Sequence, residues 1–531
     1  MSPTVAKVPA KARSVLGLVM CILLVACASS NDVALPPQLT DAGVRARVAI
    51  SASNVPRVEP IRSVDSDPTP DSEPSVFSLA EAVAYAQRHS PRLRAARAAI
   101  EAAAGREQVA FAAFLPEIGV FSQSGATNHT MGPGVPSSTG FLLTNGDGPH
   151  NYVQGLLQLQ WTVYDFGRRT GRYNQATARQ RIAKYQLTRA DQTVQFDVAV
   201  AYLNILLARA SLLVQEEAVR HAEATLKDAR ARFAAGVADP DDVLRAEVQL
   251  SESRDGVVRA QEAKLVAAAQ LNNVMGRNAA LPLEVMELAS PPLEVTSSLA
   301  ESLDVAATLR PEIGFARQAV VAAQEGVATA KAAFLPNVYV RGATGEVAGN
   351  NNVVTGWQNG IGLHLEVPLY TGGRLRGELR TAEADVSAAL ADAQSILDQV
   401  SLEVTQAFQS EVSAGQRLEL SRTAVVEARE NLRLVRVKYR NGNATPTDIV
   451  DAETTLTRSQ QRFKSAHYTY LASIARLDYA TGQPQGTILR HKAVSEQDSV
   501  PEVAPAPEPL PKGLPKSPPP AKQPRPPVKR K

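Results

Sequence analysis

Asp448 and Asp451 stand three residues apart, just after Gly442. On a helix that starts there, the two carboxylates share one face. Such a pair can attract and hold a cation. It can equally cap free amides and complement the dipole of a first helical turn. Asp242 follows Gly236 at the spacing by which Asp448 follows Gly442, and Tyr439 ends the run before Gly442. Little else in the chain could do chemistry. The 7 histidines are scattered, and no metal-binding pair, phosphate-binding glycine loop or nucleophile elbow occurs. We therefore expect no catalytic residue, no cofactor and no metal centre, and an enzyme acting on wall or envelope is disfavoured.

Cys27 is a different kind of site. Lys7, Lys11 and Arg13 precede a short apolar run from Ser14 to Ala26, too short to span a bilayer. The run ends Leu24-Val25-Ala26-Cys27, which resembles a bacterial lipobox. Residues 1–26 then read as a lipoprotein signal peptide, with cleavage before Cys27 and lipid, palmitate included, on the new terminus. Cys21 leaves with the signal, so no thiol remains for a disulfide, a metal or a nucleophile. Residues 1–26 carry +3 and residues 502–531 carry +5; against a total of +3, residues 27–501 are left at −5. A mildly acidic body is no footprint for nucleic acid.

The elements that must position these residues come in duplicate. Ala112-Ala113-Phe114-Leu115-Pro116 recurs as Ala332-Ala333-Phe334-Leu335-Pro336, 220 positions on. Arg232-Phe233-Ala234-Ala235-Gly236 returns as Lys438-Tyr439-Arg440-Asn441-Gly442, 206 positions on, and Asp242-Val243 returns as Asp448-Ile449 at the same offset. A shift held over so many residues marks a duplicated unit. We assign residues 77–290 to a first repeat and 291–485 to a second. Residues 27–76 read as the lipidated cysteine and a linker, and 486–531 as a Pro-rich, basic, disordered tail.

Each repeat reads as a helix, two strands and a very long helical hairpin. The first helix, Leu79 to Phe111, breaks at Ser90-Pro91, and its copy breaks at Arg310-Pro311. Leu157, Leu159, Trp161 and Val163 alternate with polar residues. Ile361, Leu363, Leu365, Val367 and Leu369 do the same around His364 and Glu366, which is the period of a strand with one apolar and one wet face. A membrane barrel with a wet lumen has this pattern, and so does a globular sheet with a solvent face. Partner strands are expected to start at Ile118 and Val338, and Ser122 to His150 reads as a surface loop. Trp161 and Trp357 suit either bilayer interfaces or core packing. From Arg168 to Phe233 and from Arg374 to Tyr439 there is no proline. Val194, Val198, Ala201, Ile205, Ala208 and Leu212 repeat at coiled-coil spacing, matched by Val400, Val404, Ala407, Glu411, Ala414 and Leu418. Helices so long would leave an apolar stripe exposed in a soluble monomer, so they need neighbours from the other repeat and from other chains.

Taken in order, these features resemble the TolC family of bacterial outer-membrane channels. The resemblance rests on Phe-Leu-Pro at 114–116 and 334–336, on Pro368-Leu369-Tyr370-Thr371-Gly372-Gly373-Arg374 with its weaker twin Val163 to Arg168, and on the aromatic, glycine and aspartate of each tip. It implies a mainly α fold with membrane β structure. Long antiparallel α-hairpins would form an α-barrel, and four transmembrane strands per chain would complete a 12-stranded β-barrel in a homotrimer. It further implies an outer-membrane exit duct with its body in the periplasm, serving tripartite efflux or type I secretion. The partners implied are a periplasmic adaptor and an inner-membrane transporter of RND or ABC type. Asp448 and Asp451 would ring the periplasmic gate, with raised pKa values through mutual repulsion. Tyr439 and Asp242 would form a gate hydrogen bond, and the turns at Gly236 and Gly442 would dock the adaptor. The family's second lock has an arginine where this chain has Ala444. The competing expectation is a periplasmic coiled-coil adaptor lipoprotein that conducts nothing.

Overall fold

The structure, a computed structural model, describes residues 76–127, 136–137, 140–141, 150–288, 298–349 and 356–483. Cys27, the signal, the linker, the tail, most of the loop expected between Ser122 and His150, and the boundary near residue 290 lie outside the described residues. The elements run β1 (Val76–Phe77), α1 (Leu79–His89), α2 (Pro91–Ala112), β2 (Glu117–Thr127), β3 (Pro136–Ser137), β4 (Gly140–Phe141), β5 (His150–Tyr164), α3 (Arg168–Ala234) and α4 (Pro240–Met275). Then come β6 (Glu284–Val285), α5 (Leu299–Leu309), α6 (Pro311–Ala332), β7 (Asn337–Gly349), β8 (Gly356–Glu366), α7 (Arg374–Arg440) and α8 (Pro446–Thr481). Every helix of the second repeat copies one of the first. The long pair α3 and α7 have 67 residues each, and α4 and α8 have 36 each.

Four strands make one antiparallel sheet in the order β2-β5-β7-β8. They hold 11, 15, 13 and 11 residues, enough for a tilted strand to cross a bilayer, which takes roughly 9–11 residues. The register stacks the alternation across the sheet. Ile118 pairs with Leu159 and Val120 with Leu157; Trp161 faces Val340, which faces Leu363. All stand on one face, where Val120 is 78% and Ile361 77% exposed. The other face carries Gln158, Gln160, Arg341 and His364. Gln154 donates to Gln123 across it at 3.1 Å, and His364 stacks on Tyr339. Phe121, Leu156 and Val347 break the polar pattern towards the far end of this face. The sheet does not close on itself, so β2 and β8 are both edges, each with one row of unpaired backbone groups.

The expected strand limits shift slightly. β2 and β7 start at Glu117 and Asn337, one residue before Ile118 and Val338. β2 also continues to Thr127, into the segment expected to be loop. β8 stops at Glu366 rather than running to Leu369, because Pro368 has no N–H to give a ladder. At the strand-to-helix turns Gly167 (φ 95) and Gly373 (φ 88) are left-handed. Just before them, Gly372 (φ 61) in the second repeat is matched by Phe166 (φ 53) in the first. A left-handed phenylalanine is costly, and a neighbouring clasp holds it. Buried Asp165 accepts from the Arg169 backbone N–H at 2.9 Å and from Arg169 Nε at 3.1 Å. Arg169 also donates to Thr162 O.

The main core lies where α1, α3, α4 and α8 meet. Tyr202, Leu203, Leu206, Leu271, Met275 and Leu471 are all at most 2% exposed there. Tyr202 Oη donates to Met286 O at 2.6 Å and Phe77 O at 3.1 Å, pinning the parallel pair β1–β6 to α3. α3 contains a window of mean hydropathy 1.6, apolar enough to cross a membrane, but 56% of that window is buried inside the protein. Its apolar stripe therefore serves packing. The heptad seam is buried as expected at Val194, Val198, Ala201, Ile205 and Ala208. Leu212 is only half-buried, and Val214 takes the inward place. In the second repeat the whole seam is buried, Glu411 included at 7% exposure.

Candidate functional site at the helical tips

The long hairpins reverse at two tips built alike. Gly236 (φ 72) and Gly442 (φ 76) follow the last residue of α3 and α7 in the left-handed region. Val237 N–H reaches back to Arg232 O at 3.0 Å, and Asn443 N–H to Lys438 O at 2.9 Å. This is the Schellman closure, which satisfies helix-end carbonyls and favours glycine because it lacks a Cβ. Both tip glycines are solvent-open: an added Cβ would meet nothing within 4 Å, so only the backbone angle demands them.

The carboxylates differ between the tips, and the reason is local. Thr445 caps α8. Its N–H donates to Asp448 Oδ2 at 2.7 Å, its hydroxyl donates to the same oxygen at 2.8 Å, and Asp448 N–H returns to Thr445 Oγ1 at 3.3 Å. This closed capping box makes Asp448 an N3 capping residue as well as an exposed carboxylate. In the first repeat Asp239 holds the cap position and makes no side-chain capping bond. Asp239 offers no hydroxyl to donate as Thr445 does, and Asp242, the counterpart of Asp448, closes no capping box; it lies near enough to Tyr439 for its charge to act on the phenol.

Asp448 and Asp451 are both exposed and line one cleft of about 340 Å³ with Lys438, Asn431 and Asn443. In the single chain Asp448 is shifted downward, the direction opposite to the rise expected of a ring gathered from three copies. The bonds from Thr445 hold Asp448 below the ordinary carboxylate range, backbone first and hydroxyl second, and Lys438 adds to the effect. Hydrogen bonds to the charged form outweigh the desolvation that opposes them.

Tyr439 is buried at 6% exposure, under the Arg232 guanidinium. Arg232 Cζ sits 3.8 Å from the ring centroid, and its Nη2 donates to Tyr439 O at 2.9 Å. Burial first, then nearby Asp242 and Asp228, push the hydroxyl above the usual phenol range against the pull of Arg232. Tyr439 is therefore a proton donor at all physiological pH. Asp242 lines the same cleft, of about 420 Å³, with Thr447 and Val450. The structure brings the expected pair together without joining it: among the described residues no hydrogen bond links Tyr439 to Asp242.

A buried cluster above the tips had no signal in the sequence. Arg310, at the break between α5 and α6, is 4% exposed. Its Nη1 donates to Ala480 O at 2.8 Å; its Nη2 meets Glu403 at 2.6 Å and Glu312 at 3.2 Å. Arg189 holds Glu312 from the other side at 2.6 Å. The partners come from four helices far apart in sequence, so no short motif could announce them. Among the described residues, no group of acids, histidines and cysteines is placed to hold a metal ion.

Comparison with known proteins agrees with this architecture. Residues 83–277 and 303–483 match the family described as outer membrane efflux protein. The outer membrane protein TolC of Escherichia coli is 26% identical over 424 residues, covering 76% of this chain and 82% of its own. The alkaline protease secretion protein AprF of Pseudomonas aeruginosa is 23% identical, covering 62% and 70%. The outer membrane protein VceC of Vibrio cholerae shares the fold with a TM-score of 0.65 at 24% identity, over 77% of this chain and 96% of its own. The family match spans both repeats and is to channels, not to adaptors or enzymes, which overturns the adaptor alternative.

Proposed function

This chain belongs to the outer membrane efflux protein family, and we propose on that premise that three copies close into one export duct, gated by carboxylates at its periplasmic tips. The chain is an outer-membrane channel protein. The observation that carries the trimer is the four-stranded sheet. It has one apolar face, one wet face and two open edges. A bilayer supplies no hydrogen bonds to edge groups, so β2 of one copy must meet β8 of another, and the ring must close. Three copies would give the 12 strands expected and put the wet face around a lumen.

Conduction in this reading is passive. An inner-membrane transporter, of RND or ABC type, supplies energy through a periplasmic adaptor that docks at the turns of Gly236 and Gly442. The relatives' names cover secretion as well as efflux, which supports either cargo route. Cys27, lipidated, would tether the body beside its barrel.

At the tips, three-fold symmetry gathers six carboxylates, Asp448 and Asp451 from each copy. A ring of acids at a constriction favours cations and binds one. Tyr439, kept protonated by burial, faces Asp242 as donor to acceptor and would fasten the closed state. The two roles of Asp448 separate by mutation, with currents read in planar bilayers under periplasmic divalent cations. Asp451→Asn, which leaves the cap intact, is expected to weaken cation block and selectivity. Thr445→Val, which breaks the cap but keeps every carboxylate, is expected to leave block in place. Unchanged block in the double variant Asp448→Ala, Asp451→Ala removes the gate assignment.

A further inference from the structure

The duplication carries side-chain contacts as well as helices. Arg436 pairs with Glu453 at 3.0 Å across the second hairpin, and the residues 206 positions earlier, Arg230 and Glu247, pair at 2.6 Å across the first. α3 and α4 match α7 and α8 residue for residue at this offset. Yet the two hairpins have different surroundings. Glu453 is covered by the first hairpin, its side chain 6% exposed, whereas Glu247 is 43% exposed. Val214 and Leu471 are 5% and 1% exposed; their counterparts Leu420 and Leu265 are 72% and 54% exposed. The second repeat's α8 side is covered by α3 of the same chain. The same side of the first repeat, on α4, is open, as is the face of α7 that copies α3.

We propose that a second copy of this chain covers that open face in the register of the internal seam, and that an ionic clasp holds it there. The proposal rests on the trimer reading above and goes beyond it by naming the pairs. In the internal seam between Ser211 and the tip, α3 meets the second hairpin at a short series of polar contacts. Moving each by 206 positions, with α7 in place of α3 and a neighbour's first hairpin in place of the second, gives the contacts between copies. His221 to Arg436, 3.1 Å, becomes Glu427 to Arg230, an ion pair. Ser211 to Gln461, 2.6 Å, becomes Arg417 to Asp255, another ion pair. Thr225 to Glu453, 2.9 Å, becomes Asn431 to Glu247, a donor on a carboxylate. Arg232 over the Tyr439 ring becomes Lys438 over Phe233, again a cation on an aromatic face. Gln460 to Glu217, 3.4 Å, becomes Arg254 to Thr423, a donor and an acceptor.

Every pair transferred from this tip-side stretch is complementary, although the residue types have changed at nearly every position; nearer the barrel the match ends, where Gln192 to Gly482 O would become Asp398 to Gly276 O, two acceptors. Unrelated surfaces have no reason to match in this way. All of Glu427, Arg417, Asn431 and Lys438 are exposed in the single chain, and the Arg230 and Asp255 side chains are 61% and 60% exposed. None of the five internal contacts is a carboxylate paired with a lysine or arginine, and that seam is covalently tethered, whereas two of the five contacts between copies are ion pairs. Ionic strength should therefore loosen contacts between copies and leave those within a copy in place.

The test uses two differently tagged full-length chains expressed together, one with Asp255→Cys and the other with Arg417→Cys, and a short thiol-specific crosslinker. A product carrying both tags is expected. The Ser211→Cys, Gln461→Cys double variant is the internal control and should link within one chain only. Absence of the two-tag product, in a detergent preparation with the mass of three chains, overturns the clasp while leaving the trimer standing; a preparation with the mass of one chain overturns both. In addition, Arg417→Asp is expected to speed dissociation of the trimer by about tenfold, and Asp255→Arg on that background to restore it, because only a direct pair rescues on charge exchange. Failure of the exchange to restore the trimer overturns the pairing.

Discussion

Arg310→Met should be among the most damaging single changes outside the barrel. The methionine keeps length and apolar bulk, so packing at the α5–α6 break survives. The guanidinium's partners do not. Ala480 O, near the end of α8, loses a charged donor at 2.8 Å. Glu403 loses an ion pair at 2.6 Å and Glu312 one at 3.2 Å. Breaking a buried ion pair costs about 3–5 kcal/mol when the other charge is left alone. Here neither acid is left wholly alone, since Gln399 donates to Glu403 at 2.9 Å and Arg189 holds Glu312. The acids' side chains are also 35% and 26% exposed, so water screens part of the loss. The lower end applies, about 3 kcal/mol per chain, which for a chain this large lowers the melting temperature by roughly 3 °C.

Acid sharpens the same test. Glu403 is partly buried, which alone would raise its pKa, but the bonds from Gln399 and Arg310 and the charges of Arg310 and Arg189 together lower it. A depressed carboxylate stabilises the fold above its unfolded pKa, about 4.3, and that contribution is lost as pH falls through the lower folded value. Far-UV circular dichroism melts of the detergent-purified protein from pH 3 to 7 should show the gap between wild type and Arg310→Met narrowing below about pH 4. A variant that melts with wild type at pH 7, or a gap that does not change with acid, refutes the reasoning.

Other changes follow from single observations. Tyr202→Phe removes the buried donor that bridges Phe77 O and Met286 O and should cost about 1–2 kcal/mol; faster amide exchange in Val76–Phe77 and Glu284–Val285, ahead of the rest of the core, checks it. Gly345→Ala places a Cβ 2.8 Å from Leu156 Cα and against the Gly155 carbonyl, so it should wedge β5 from β7 and cut the yield of folded channel. Gly155→Ala, whose Cβ would meet nothing within 4 Å, should not, and equal yields from outer-membrane fractions would contradict the strand spacing. Glu411→Gln should stabilise the protein increasingly as pH rises. Burial pushes the Glu411 carboxyl up, and one of its oxygens is buried without a partner. The folded form therefore holds its proton longer and loses stability as pH climbs past the ordinary glutamate range; melts at pH 5 and pH 8 with no difference in slope would refute this.

The architecture could be read from the chain because it is written twice. A single apolar alternation around Leu157 suits a membrane strand or the solvent face of a globular sheet; a second, cleaner one around Ile361 at the matching place in a copied unit makes the strand itself secure. Proline and glycine set the limits in both copies, at Pro91 and Pro311, at Gly167 and Gly373, and at Gly236 and Gly442. What escaped was long-range or depended on one partner. Arg310 finds Ala480 and Glu403 across four helices, and no spacing rule reaches that far. The capping role of Asp448 had a usable local signal, a threonine three residues before an acid, and its absence at Asp239 separates Asp242 from its twin. The extension of β2 to Thr127 was hidden by small and polar residues that resemble a loop; pairing along β5 holds them extended.

The mass and the conductance of one preparation test most directly whether this chain builds a shared duct. Outer membranes extracted in detergent should yield a particle of three chains that dissociates only on heating and that passes current in a planar bilayer. A single chain that stays soluble without detergent, or a three-chain particle that conducts nothing even after Tyr439→Phe and Asp242→Ala unfasten its tips, would contradict it.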